Sequence, residues 1–135
     1  MAKIYRLSDR IKLNVDDLEV TIGPLSIHQK ACVEEVAASS SLIKASIEAM
    51  KYAIKDIKGL SDKDGNEYEL QRDENGDLSE ETLNDLFNLE NSYKLVAISL
   101  NLVNSIPDEF IDVNTGQPLE GVEFVIEGEK KGKKK

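Results

Sequence analysis

One stretch, Tyr93 to Ile106, constrains the fold of this 135-residue chain more than any other. Its apolar residues recur at helical spacing and fill two neighbouring faces of a helix. The first face holds Tyr93, Val96, Ala97, Leu100 and Val103, and the second holds Leu95, Ile98, Leu102 and Ile106. A helix that is apolar on one narrow stripe lies on a surface, whereas one that is apolar on two faces is packed from both sides. The pattern therefore predicts a central core helix, ended by Pro107.

A β-hairpin is predicted near the start of the chain. Apolar and polar residues alternate in two short runs, and the pair Asp16-Asp17 lies between the runs. A two-residue turn at this pair would place the apolar side chains of both runs on one face. The resulting cross-strand pairs are Val15 with Leu18, Leu13 with Val20, and Ile11 with Ile22.

Three further helices are predicted. Ser26 and Gln29 have the spacing of a capping box, which marks the start of the first. The second carries an apolar stripe and is expected to end at Gly59. The third begins after a cap at Asp77 or Ser79. The residues expected to face inward are Val33, Val36 and Ala37 in the first helix, Ile43, Ile47, Met50, Ile54 and Ile57 in the second, and Leu83, Leu86, Phe87 and Leu89 in the third.

The remaining segments indicate further short strands. Asp64-Gly65 is a turn signal, and the alternation behind it indicates a second short hairpin or a strand after a turn. Val122, Phe124 and Ile126 alternate with other residues, which predicts a final strand that could extend a hairpin sheet.

These segments predict an α+β fold with about four helices and one or two small antiparallel β-hairpin sheets. Residues 11–127 are expected to form a single domain, preceded by a flexible lead-in at residues 1–10. Residues 128–135 are lysine-rich and are expected to be disordered, because like charges repel and no apolar side chain offsets the entropy of ordering them.

Charge is unevenly distributed along the chain. The net charge is −9, but residues 129–135 hold five lysines and one glutamate, so the rest carries −13 from 12 basic and 25 acidic residues. Such a body repels phosphate backbones, which predicts poor binding of nucleic acid. No apolar run approaches the ~20 residues that cross a bilayer, and the scattered charges of the first residues do not form a secretory signal. A single cysteine, Cys32, suits a reducing cytoplasm.

Two aspartate-rich turns invite a calcium interpretation. In each turn, residues with side-chain oxygens occupy positions 1, 3 and 5 of an EF-hand-like loop. They are Asp62, Asp64 and Asn66 in the first turn, and Asp73, Asn75 and Asp77 in the second. The EF-hand also requires glycine at position 6 and a bidentate glutamate at position 12. Those positions hold Glu67 and Asp73 in the first turn, and Leu78 and Asn84 in the second. Turn chemistry accounts for the same residues without an ion, so no metal site is predicted.

A nucleophilic pair is the other candidate for chemistry. His28 is the only histidine and lies in the first turn of a predicted helix, where we expect it to be exposed. Cys32 follows one helical turn later, and a Cys–His pair is a conceivable nucleophile. No orienting acid or oxyanion donor is recognisable nearby, and Cys32 is expected to pack as a small apolar residue. The sequence therefore predicts no enzyme, no catalytic residue and no cofactor.

A layout of segments within residues 11–106 carries a family resemblance. It comprises the hairpin IKLNVDDLEVTI, the helix start GPLSIHQK, the segment IKGLSDKDGNEYEL, the helix entry DENGDLSEETLNDLFNLE and the apolar helix after it. This layout resembles the tail assembly chaperones of long-tailed bacteriophages.

The resemblance implies a cytoplasmic binding protein. Members of that family bind the tape-measure protein, help recruit tail-tube subunits and are generally absent from the finished particle. The resemblance implies no small-molecule substrate, no specific nucleic acid and no membrane, and it leaves self-association open. Many members are also made in a frameshift-extended form. Consecutive lysine codons, as in GEKKGKKK, are runs of adenine on which ribosomes can slip. The nucleotide sequence tests for such a form: it requires a slippery heptamer near these codons and an overlapping reading frame.

Two other functions remain open. The first is a minor structural component of the virion, such as a tail or head-completion subunit, which would be found in purified particles. The second is an acidic nucleic-acid mimic that inhibits a host enzyme, for which carboxylates would have to cluster on one face. The even scatter of acidic residues through the sequence argues against the mimic.

Overall fold

In the computed structural model, which describes residues 3–125, the predicted hairpin forms the centre of a sheet. Strand β1 (Ile11–Val15) pairs with strand β2 (Leu18–Ile22), and Leu13 lies opposite Val20 as predicted. Both of these side chains are fully buried. Asp16 adopts a φ of 57°, a left-handed conformation that a two-residue hairpin requires and that aspartate tolerates. The predicted register is confirmed.

Four helices accompany the hairpin. They are α1 (Ile27–Ser39), α2 (Leu42–Ala53), α3 (Glu80–Leu86) and α4 (Ser92–Asn104). The predicted capping box starts α1, since Gln29 N donates to Ser26 Oγ at 3.1 Å and Ser26 N donates to Gln29 Oε1 at 2.9 Å. Of the two candidate caps for α3, Ser79 is the one used, and its Oγ accepts from Thr82 N at 3.2 Å. Local side-chain chemistry therefore sets where these helices begin.

Two more strands complete one antiparallel sheet of order β3-β2-β1-β4. Strand β3 (Ile54–Lys58) pairs with β2, and strand β4 (Val122–Phe124) pairs with β1. The last strand was predicted, and it does extend the hairpin. The expectations for Ile126 and for the tail at residues 128–135 lie outside the described residues.

Strand β3 corrects the prediction of a longer second helix. The helix α2 ends before Ile54, and the chain continues as a strand. Ile54 and Ile57 are both buried although they are three residues apart, because the pairing of β3 with β2 skips Lys55. Such a bulge turns both side chains to one face. A bulged strand therefore reproduces the spacing of a helical stripe, which is why the sequence pattern was misleading here.

The core lies between the sheet and the helices. Inward side chains of β1 and β2 form one cluster with α2 and α4. The helix α2 contributes small buried residues, Ala45, Ala49 and Ala53, which let neighbouring elements approach closely. The fully buried large side chains of α4 are Leu95, Ile98 and Leu102. The prediction of a small single-domain α+β fold is confirmed.

The capping box leads to a first test. We expect Ser26→Ala to lower the free energy of unfolding by about 1 kcal/mol, because an N-terminal amide of α1 loses its acceptor. Ser40→Ala is the control at the other end of α1, where the backbone N–H and not the side chain makes the capping bond. Urea denaturation measures both changes, and equal losses in the two variants would contradict the assignment.

Candidate functional site

Only one of the two apolar faces of α4 is fully buried. Leu95, Ile98 and Leu102 point into the core. On the other face Tyr93 is 58% exposed and Val96 is half-buried. The prediction that α4 is packed from both sides is therefore wrong at Tyr93, whereas Ala97 on the same face is buried. One exposed tyrosine is ordinary, so what surrounds Tyr93 decides whether this side of α4 is a candidate site.

An apolar groove lies along this open face. Its volume is ≈ 280 Å³, and its lining comes from α2, the end of α3, α4 and the loop after α4. The residues that define the apolar groove are Ile43, Phe87, Tyr93, Val96, Asp112 and Val113.

Exposed side chains from three separate segments surround the groove. Ile43 is 70% exposed and Val113 is 46% exposed, in addition to Tyr93. The sequence pattern placed Ile43 in the core, but the buried side of α2 runs through Ala45 and Ala49, so Ile43 is rotated outward. Single exposed apolar residues are ordinary, whereas several around one depression mark an interaction site.

The loop that carries Val113 is anchored to α4. Asn101 Nδ2 donates to the Ile111 carbonyl at 2.9 Å, and Asp112 Oδ1 accepts from Asn114 N at 2.8 Å. These bonds hold Val113 beside the groove without any strand. The groove is therefore built from fixed elements and is present before a ligand binds.

A larger cavity elsewhere is a weaker candidate. Its volume is ≈ 680 Å³, and it lies between the lead-in, α1 and the end of α4. Lys3, Lys30 and Asp108 are among its lining residues, and Lys30 Nζ already donates to the Asn104 carbonyl at 3.2 Å. Apolar residues such as Leu25 and Leu102 also line this cavity, but most of its lining surface is polar. The lining surface of the smaller groove is mostly apolar, which makes the groove the better candidate.

The aspartate-rich turns use their carboxylates internally. Asp62 Oδ1 accepts from the backbone N of Asp64 at 2.9 Å and of Asn66 at 3.0 Å. Asp73 makes the equivalent bonds in the second turn, and Asp112 begins a related third one. The Asn66 N–H holds the pKa of Asp62 below its ordinary value. Within residues 3–125 no group of three or more His, Cys, Asp or Glu side chains could hold a metal ion.

His28 and Cys32 are both exposed on α1. The expectation for His28 is confirmed, whereas the expectation that Cys32 packs as a small apolar residue is wrong. Cys32 instead lies near the Tyr52 hydroxyl, which donates to Glu48 Oε2 at 2.6 Å. Burial, then Glu48 and Cys32, raise the pKa of Tyr52. In the described part of the chain, no hydrogen bond joins His28 to Cys32.

A polar anchor fixes the N-terminal end of α4. Lys94 Nζ donates to Asp16 Oδ1 at 2.8 Å, and Asn91 Nδ2 donates to Asp16 Oδ2 at 2.9 Å. The hydrogen bond from Lys94, followed by that from Asn91, lowers the pKa of Asp16. Lys94 is buried in this contact, whereas its neighbour Tyr93 is exposed. Sequence reasoning missed this pair, since its members lie far apart along the chain.

Comparison of the chain with protein-family models, with curated proteins and with solved structures finds no match. Among the described residues, no helix has the length and apolarity needed to cross a bilayer. Function is therefore inferred from the apolar groove, its charge environment and the layout of the sequence. A groove of this kind could bind an apolar segment of another chain.

Proposed function

We propose that this chain is a tail assembly chaperone of a long-tailed bacteriophage. In this role it is a non-enzymatic protein of the host cytoplasm that binds the tape-measure protein, helps recruit tail-tube subunits and stays out of the finished particle. The frameshift-extended form belongs to the same proposal. The observation that supports the proposal most strongly is an open apolar groove on an acidic body.

The groove suits the apolar stripe of a client helix. Helix-in-groove recognition places residues i, i+3 or i+4, and i+7 of the client against an apolar surface. Tyr93 and Ile43 would lose their contact with water, and Phe87 and Val96 add apolar surface to the groove. Burial of apolar area, at about 25 cal/mol per Å², is then the main favourable contribution to binding.

Charge favours a client with basic residues beside its apolar stripe. Residues 1–128 carry −13, and Asp112 lies in the groove lining. Opposite charges on the client would accelerate association and make it dependent on salt. Repulsion between acidic bodies would keep several bound copies apart and the complex in solution.

The central test replaces one groove residue. We expect Ile43→Asp to weaken binding of the tape-measure protein by roughly 30- to 100-fold, because an apolar contact worth about 2 kcal/mol is lost and a charge enters the groove. Ile27→Asp is the control: Ile27 is also exposed and in the first turn of a helix, but it lies outside the groove. Co-expression, followed by co-elution from a sizing column, measures both variants.

Two results would overturn the proposal. One is a wild-type chain that elutes apart from the tape-measure protein. The other is an equal loss of binding in both variants while their melting temperatures stay the same as the wild type. Detection of the chain in purified particles would instead identify a minor structural component of the virion.

A further inference from the structure

Three cationic side chains lie close together around Gly23 and β3, and none of them lines the apolar groove. Arg10 comes from the lead-in, Lys55 from the bulge in β3, and Arg72 from the loop between β3 and α3. Arg10 Nη1 and Lys55 Cε lie 2.8 and 3.0 Å from the position that a Cβ would take on Gly23. Arg72 Nη2 donates to the Lys55 carbonyl. We call these three residues the basic cluster.

Both arginines are held in place by backbone carbonyls. Arg10 Nη1 donates to the carbonyls of Leu7 at 2.9 Å and Asp9 at 2.8 Å. Arg72 Nη1 donates to the Gly76 carbonyl at 3.3 Å. A carbonyl orients a guanidinium without neutralising its charge. The two guanidinium groups are therefore oriented without a counter-ion, Arg72 is joined to the Lys55 backbone, and both charges remain available to a ligand.

Within residues 3–125, the three side chains of the basic cluster form no ion pair with a carboxylate, although the chain is rich in acidic residues. Among the ion pairs of the described residues, none involves Arg10, Lys55 or Arg72. Burial, and then the nearby charges of Arg10 and Arg72, lower the pKa of Lys55, and Asp77 opposes this shift. Three mutually repelling cations without a salt bridge are unexpected in a chain whose first 128 residues carry −13.

The bulge directs Lys55 into the cluster. Because the pairing of β3 with β2 skips this residue, Lys55 has no cross-strand partner on β2. Burial of Ile54 and Ile57 requires the bulge but does not require a lysine there. A half-buried lysine between two arginines destabilises the unliganded fold, and an anion would offset that repulsion.

We propose that Arg10, Lys55 and Arg72 form a binding site for a phosphate group, carried either as inorganic phosphate or as the phosphate of a nucleotide. Planar guanidinium groups match the oxygens of a tetrahedral anion, and lysine adds a compact point charge. Three adjacent cations can balance a dianion. A long polyanion such as nucleic acid would be repelled by the acidic body around the site.

The test measures binding of inorganic phosphate by calorimetry and its effect on the melting temperature, at constant ionic strength. We expect Lys55→Met to melt at a higher temperature than the wild type without phosphate, because the repulsion is removed. The same variant should bind phosphate about tenfold or more weakly, because a charge-assisted hydrogen bond is lost. Lys58→Met, an exposed lysine on the same strand, should change neither quantity.

The possible outcomes separate the ligands and decide the proposal. Tighter binding of a nucleoside monophosphate than of inorganic phosphate would identify a nucleotide as the source, and equal binding would identify free phosphate. No detectable phosphate binding by the wild type, an equal loss in Lys58→Met, or equally tight binding of duplex DNA would overturn the proposal. Lys55→Gln provides the same comparison if the methionine variant does not fold.

Discussion

Leu95→Ala should lower the free energy of unfolding by about 3–4 kcal/mol, because it removes a large, fully buried side chain from the central helix and leaves a cavity. Leu100→Ala makes the same change on the same helix at a half-buried position. Leu100→Ala should lower the free energy of unfolding by about half as much, since the surroundings can relax and water already reaches the site. Equal losses in urea denaturation would contradict the packing described for α4.

Asp16→Asn should cause the next largest loss of stability, lowering the free energy of unfolding by about 2 kcal/mol. The substitution keeps the shape and the tolerance for a left-handed φ, but it leaves the buried Lys94 without a charged partner. Breaking a fully buried ion pair costs about 3–5 kcal/mol, and the smaller value follows because the Asp16 side chain is 37% exposed. Adding Lys94→Met should recover part of the loss, since the unpaired charge is then removed.

The same pair predicts a dependence on pH. Lys94 and Asn91 hold the pKa of Asp16 below its ordinary value of 3.8. A lowered pKa means that the stabilisation is complete well above pH 4 and is lost as the pH falls through the folded-state value. The stability difference between wild type and Asp16→Asn should therefore shrink from pH 7 to pH 3. A constant difference would show that the charge of Asp16 does not contribute.

Local patterns predicted much of the fold. The hairpin register followed from alternation around Asp16-Asp17, because a shift by one residue would turn every apolar side chain to solvent. The start of α1 followed from Ser26 and Gln29, because a capping box needs only side chains and amides that are neighbours in sequence. Features that depend on short separations along the chain are the ones that spacing alone can predict.

Other features depended on contacts between distant segments. The spacing of Ile54 and Ile57 fits a helix as well as a bulged strand, and pairing with β2 decides between them. The ion pair of Asp16 with Lys94 joins a hairpin turn to a helix, and nothing near either residue in the sequence predicts their pairing. Sequence patterns also rank apolar residues as core, so they cannot identify which ones remain exposed.

The apolar groove shows this difficulty most clearly. The spacing of Tyr93 and Val96 establishes that this face of α4 is apolar, but not whether another segment covers it. The answer depends on the rotation of α2, which turns Ile43 outward, and on the loop that carries Val113. The basic cluster was missed for a related reason, since its members come from three separate segments.

In the proposed function, this chain binds its client through the apolar groove. Hydrogen–deuterium exchange of the chain, alone and with the tape-measure protein, tests it most directly. We expect slower exchange on binding in residues 43–47, 93–97 and 110–114, with no change in residues 27–33 of α1. Protection confined to other segments, or no protection at all in the presence of the tape-measure protein, would contradict it.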